Sequence, residues 1–299
     1  MTLVLFGSNN PTGAAFLNIC NNNPPEIWGR KSSGFSKGSH IYCDLSMIPP
    51  KPMRSIRGVL ISFAPIWLLA PFLSHLVREQ PEVLQDLKGV IACSSSSFIT
   101  KQFAFNDYDR GLSVQLKQSH KMIRAICIEL NIPFQILAPT LVYGEVNGYS
   151  DKNISKIIKL LRTLPVIFLP KTTGLRQPIH ATQLALIAFQ QACKMLSGCW
   201  SRDEPQVVTL GGDSMITYEN MIIRIKDGLQ ANDLAKNCQI LTIPDRIFFL
   251  IISPLLPINP KLFEALMRIK TDLSDFTEAH KILGESPKTF PVLPLGTGY

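Results

Sequence analysis

The chain has 299 residues, 46% of them hydrophobic and 17% charged, which suits a large buried core and excludes a disordered chain. Its 30 Lys and Arg outnumber 22 Asp and Glu, for a net charge of +8. There is no aromatic–basic interleaving and no nucleic-acid motif, so nucleic acid is not an expected partner; a phosphate-bearing small molecule or a solvated surface accounts for the bias. The seven cysteines form no CxxC pair, which argues against a zinc site and fits reduced thiols in a cytoplasmic protein with no resident metal.

The first strand is expected at Leu3–Phe6 and the first helix at Gly13–Asn21, with no basic leader ahead of them that would read as a signal peptide. Between strand and helix stands GSNNPTG. Gly7 permits a tight turn, and Gly13 lets helix pack closely on strand. The helix N-terminus then offers free N–H groups and a positive dipole end to a pyrophosphate. Asn10 occupies the middle glycine position of G-x-x-G-x-x-G, where its tolerance of the left-handed region would preserve the turn. A plain strand–turn–helix has the same appearance, so the motif alone does not decide. Beyond the second strand, Glu26–Trp28, Arg30 and Lys31 replace the acid that would bind a ribose 2′-hydroxyl. They either hold a 2′-phosphate, favouring NADP with NAD as the alternative, or form a basic pair on a surface loop.

Further strands are expected at His40–Cys43, Gly58–Phe63, Lys88–Cys93 and Phe134–Leu137. Helices are expected around Ala70–Glu79, at Lys117–Leu130 and at Ala181–Leu196. Alternating strands and helices imply βαβ units and an α/β fold: a doubly wound parallel sheet of the Rossmann type. After Gly144 prolines crowd the chain and elements shorten. The division is therefore a dinucleotide-binding part over 1–145, with 176–200 returning to it, and a smaller substrate region over most of 146–299. Ile66–Val77 and Ile247–Ile258 are too short to span a membrane, and prolines interrupt them. The second is expected as a buried helix end or loop against the core, with membrane contact as the alternative.

Six segments then follow in order: GSNNPTG, CDLS, ISFAP, CSSSSFI, ILAPTLVYG and LRQPIHATQLALIAF. Together they resemble the extended short-chain dehydrogenase/reductase superfamily, in its NAD(P)-dependent sugar-nucleotide epimerase/dehydratase branch. The likeness covers most of the chain and is strongest over 1–185. The resemblance implies that Gly7, Asn10, Thr12 and Gly13 form the cofactor turn, that Asp44 and Leu45 contact adenine, and that Ala64, Pro65 and Pro139 line the cofactor. It makes Ser95 the catalytic-serine equivalent, Ser96 and Arg176 substrate contacts with Arg176 on a diphosphate, and His180 a structural histidine. Homodimerisation is a habit of the family.

The family's redox step uses a Tyr and a Lys four residues apart on one helix, the lysine lowering the tyrosine pKa so that tyrosinate acts as base. Here the matching lysine is Lys117, and four residues before it stands Ser113. No YxxxK occurs. A serine hydroxyl is a far weaker acid than a phenol and does not replace tyrosinate near neutral pH. Tyr108 can approach only through a loop, and Ala138 replaces a frequent Arg. Two readings stand side by side, with Ser95, Lys117 and Ser113 as the catalytic candidates. One is an NAD(P)-dependent epimerase/dehydratase-like oxidoreductase acting on a nucleotide-sugar or similar anionic substrate. The other is a non-catalytic dinucleotide-binding accessory or sensor protein.

Overall fold

The computed structural model describes residues 2–31, 38–49, 53–201 and 203–293; Ser32–Gly34 after the Arg30–Lys31 pair lie outside them. The chain begins β1 (Leu3–Phe6), α1 (Pro11–Ile19), β2 (Glu26–Gly29), β3 (His40–Tyr42), β4 (Gly58–Ser62), α2 (Ile66–Glu79), β5 (Leu87–Cys93), a single turn α3 (Ser97–Thr100), α4 (Asp107–Glu129) and β6 (Phe134–Pro139). These six strands pair in the order β3-β2-β1-β4-β5-β6, all parallel, and the strands Val207–Gly211 and Thr277–Glu278 extend the sheet beyond β6. In the centre Leu5 lies between Ile27 and Ile61. β1 and β4 are buried along their whole length, as parallel strands covered on both faces must be. The strand order reverses between β1 and β4, so a crevice opens beyond their carboxyl ends.

One face of the sheet is covered by α1 and by α6 (Ala181–Ser197), whose Ala185, Ala188 and Ala192 allow close approach to Phe16 and Leu17. The other face is covered by α2 and α4 through Leu69, Leu73, Leu76, Ile123 and Cys127. A third apolar cluster holds the C-terminal part together. It joins α5 (Ile154–Thr163), α7 (Tyr218–Gly228) and α8 (Asp245–Ile252) through Ile158, Ile222, Ile225, Phe248 and Ile252. After α8 come α9 (Leu255–Ile258), α10 (Pro260–Met267) and α11 (Ala279–Leu283). α11 packs on α6, so the later chain returns to the sheet through 207–211 and 277–283 as well as through 176–200.

Three elements differ from expectation for local reasons. α1 starts two residues early because Pro11 is preset for the first helical position and Asn10 caps it. α4 starts at Asp107 rather than Lys117: Asn106 caps it, and Asp107 and Asp109 complement the dipole in its first turn. The Ile247–Ile258 run is buried against the core only in part. It forms most of α8 and all of α9; Phe248 and Ile252, one turn apart, are buried in the third cluster, Leu255 packs against it, and the other large apolar side chains are exposed. All seven cysteines are free. Among the described residues no helix is long and apolar enough to cross a membrane, and no group of side chains could hold a metal ion.

Candidate functional site

A cleft of about 680 Å³ opens at the β1/β4 reversal, a size usual for a cofactor pocket. Gly7, Asn10, Ala64 and Pro65 form its floor near the sheet, and Arg30, Lys31, Asp44 and Leu45 form its far rim. Trp28, buried in the sheet, also lines it. Both turn glycines are obligatory. At Gly7 φ is +78°, and a Cβ would stand 2.4 Å from the Ala64 nitrogen; at Gly13 a Cβ would stand 2.2 Å from the Gly7 carbonyl oxygen. Asp44 accepts hydrogen bonds from the Ser46 hydroxyl at 2.7 Å and the Ser46 N–H at 2.9 Å. Those bonds, helped by the Arg30 charge, hold its carboxyl below the usual range.

The helix N-terminus at the cleft is altered. Asn10 is extended, with φ −151° and ψ 166°, not left-handed. Its Oδ1 accepts from the Gly13 N–H at 2.9 Å, and its Nδ2 donates to the Gly7 carbonyl at 2.7 Å and the Phe63 carbonyl at 3.3 Å. Pro11 has no N–H. The N–H of Ala14 already bonds the Asn10 carbonyl. Of the first three helical residues, Thr12 alone keeps an N–H outside these bonds. Asn9, missed in the sequence, donates to the Lys31 carbonyl at 3.2 Å and accepts from the Tyr149 hydroxyl at 3.1 Å. Asn147 likewise donates to Asn18 at 2.9 Å, so the turn and α1 are tied to the segment after β6.

The expected catalytic group lies at the end of β5 and along α4, and its members are engaged with their neighbours. The Ser95 hydroxyl bonds that of Ser97 at 3.0 Å and accepts from the Ser97 N–H, bracing the α3 turn. Ser96 is buried and donates its N–H to the Pro139 carbonyl, which fastens α3 to the end of β6. Ser113 is buried and donates to the Phe98 carbonyl at 2.8 Å. Lys117 donates to the Gln102 side chain at 2.7 Å. Tyr108 does not enter this group: it is exposed in the first turn of α4, with the Lys261 ammonium 3.6 Å from its ring centre.

Two groupings here were not foreseen. Ser94 and His120 Nε2 are 2.6 Å apart, and burial lowers the His120 pKa to about 4, so the imidazole is neutral at physiological pH. Asp109, almost wholly buried, takes hydrogen bonds from Asn106 at 3.0 Å, from Lys101 at 2.7 Å and from Arg268. Burial works to raise the Asp109 carboxyl, but those bonds outweigh it and hold the group well below the usual carboxylate range. Glu264 in α10 also accepts from Asn106 and from the Phe105 N–H. The sequence signal for this junction was Asn followed by two acids, a capped helix start.

Arg176 and His180 are both structural in their surroundings. The Arg176 guanidinium donates to the carbonyls of Leu175, Thr271 and Arg268 and lies over the Tyr218 ring, so it does not present an open fork to an anion. His180 caps α6: its Nδ1 accepts from the Thr182 N–H, while Gln183 reaches back to the His180 N–H. Burial, and then the Lys288 charge, lower its pKa to about 4.

No protein-family model and no curated protein matches the sequence. Solved structures do match. A UDP-glucose 4-epimerase from Thermotoga maritima, with UDP-glucose, superposes with TM-score 0.61 at 10% identity over 97% of this chain and 94% of that one. A UDP-glucuronic acid 4-epimerase from Bacillus cereus, in complex with NAD, gives 0.58 at 13% identity over the same shares. A GDP-mannoheptose C4 reductase from Campylobacter jejuni, with NADP bound, gives 0.54 at 10% identity over 81% and 87%. The eight-stranded parallel sheet, its strand reversal and these superpositions agree: the chain has the fold of the extended short-chain dehydrogenase/reductases.

Proposed function

We propose that the chain binds a nicotinamide dinucleotide, NADP in preference to NAD, in the cleft at the β1/β4 reversal. Its second ligand is a nucleotide-sugar or a similar phosphate-bearing small molecule. The observation that carries this reading is the pair Gly7 and Gly13, whose missing side chains leave backbone against backbone where a diphosphate lies in this fold. Adenine would rest by Asp44 and Leu45, and Arg30 and Lys31 would take a 2′-phosphate. The Thr12 N–H and the α1 dipole would take the diphosphate, with Ala64 and Pro65 of the cleft lining as the wall. The chemistry such a group supplies when bound is hydride transfer.

The residues fit the adenosine half better than the reacting half. Ser113 stands buried where a tyrosinate base would act, and Lys117 and Ser95 would each have to leave a present partner to meet a ligand. That favours a second reading beside the epimerase/dehydratase-like oxidoreductase: a dinucleotide-binding accessory or sensor without ordinary turnover. Reduced thiols accord with a cytoplasmic residence, and a homodimer would show in sedimentation.

Quenching of Trp28 fluorescence by NADP(H) and NAD(H) tests the binding, and a panel of UDP- and GDP-sugars tests the turnover. The expected result is saturable quenching, about tenfold tighter for NADP(H), as a further charge-assisted phosphate contact provides. A chain that responds to neither dinucleotide defeats both readings; turnover of any sugar nucleotide selects the enzyme.

A further inference from the structure

Large apolar side chains are exposed on α8, α9 and α10, none of which lines the cleft. α8 turns Phe248 and Ile252 inward and sends Ile247, Phe249, Leu250 and Ile251 out, so its outer side carries more large apolar residues than its inner side. Leu250 is 72% exposed, and Ile258 in α9 is 77% exposed. The Phe249 ring meets that of Phe263 edge-on at 6.3 Å, which joins α8 to α10. Through Lys261 over Tyr108 and Glu264 on the Phe105 N–H, α10 brings the loop before α4 to the same surface, with Phe103 90% and Phe105 72% exposed. A helix side facing water alone is ordinarily polar, and contiguous apolar patches of this kind mark interaction sites.

The charges around the patch indicate its occupant. From Arg246 to Phe263 there is no acid, and Arg246 and Lys261 stand exposed in the first turns of α8 and α10. The neighbouring acids are engaged: Asp245 with Lys270, Glu264 with Asn106, and Asp107 with Arg110. Leu250 and Ile258 are the most exposed large apolar side chains of these helices, and the edge cations would repel the same face of a second copy. We propose that this face docks on an anionic membrane surface. The apolar side chains enter the acyl boundary by about 5–10 Å, and Arg246 and Lys261 meet lipid phosphates. The attachment is interfacial, in keeping with helices far too short to span.

The test is flotation of the full chain with vesicles of phosphatidylcholine alone or enriched in phosphatidylglycerol, with sedimentation velocity in parallel. The chain should float with the anionic vesicles and much less with the neutral ones. Leu250→Asp/Ile258→Asp should weaken that binding roughly tenfold, and Arg246→Glu/Lys261→Glu several-fold. A Leu250→Trp variant should shift its emission to the blue on anionic vesicles; it gives the readout should the double aspartate variant misfold. No flotation with anionic vesicles, flotation untouched by the charge reversal, or a dimer that the aspartates turn into monomer would each overturn the proposal.

Discussion

Asn10 and Pro11 do together what neither does alone. Proline forces its predecessor out of the helical region, so Asn10 is extended and its side chain swings onto the Gly13 N–H. The glycine pattern alone suggests a left-handed asparagine, whereas the Asn-Pro pair specifies an extended one. A diphosphate at α1 must therefore compete with a side chain of the protein. Pro11→Ala restores a donor and Asn10→Gly releases one, so each should tighten dinucleotide binding about fivefold, the worth of ~1 kcal/mol for one hydrogen bond. Titration of Trp28 fluorescence reads the change, and unaltered affinity in both variants would show that no phosphate visits this helix end. Gly7→Ala works the other way. The added methyl meets the Ala64 nitrogen in a backbone conformation closed to alanine, and urea denaturation should register a loss of about 2 kcal/mol.

At the scale of elements, the start of α4 matters most. Asp109 is fixed by Asn106 from its own helix, by Lys101 from the preceding loop and by Arg268 from the C-terminal part. Asp109→Ala leaves Lys101 without its carboxylate and Arg268 with the longer Glu264 pair alone, and equilibrium unfolding should show a loss of about 3 kcal/mol. A change below ~1 kcal/mol would mean that solvent already screens the group. Two helices also carry a pH dependence. His120 on α4 and His180 at the cap of α6 titrate at about 4 when folded, against an ordinary 6.5. As pH falls the unfolded chain takes up those protons first. Stability from these groups is therefore complete above 6.5 and is lost between 6.5 and about 4. Melting temperatures across that range should fall, and His180→Asn, which keeps a capping side chain without the titration, should flatten the slope.

For the whole molecule, the strands of the sheet were legible wherever apolar runs are bounded by turn residues, which is why β1, β4, β5 and β6 fall within a residue or two of expectation. The chain after Gly144 was less so. Its strands are often two residues long, such as Leu175–Arg176 against Ile216–Thr217 and Ile179–His180 beside Val142–Tyr143, and no periodicity shows in so short a span. Tertiary pairing makes them strands. The apolar run in α8 and α9 misled because hydrophobicity says that a segment avoids water without saying what shields it. The fold could be read from landmarks in order, and so could the local bonds of the site, such as Asn10 with Gly13; the bonds of Ser113 to Phe98, Lys117 to Gln102 and Asn9 to Tyr149 could not, since they join separate segments.

Two fastenings tie the chain through α4 to the later chain: Asn9 with Tyr149, and Asp109 with Arg268. Bolted twice, the later chain has little freedom to swing against the sheet. The radius of gyration by X-ray scattering should therefore be the same with and without saturating NADP(H). A measurable contraction would mean that one bolt slips, and cutting each in turn, by Tyr149→Phe or Arg268→Gln, would tell which.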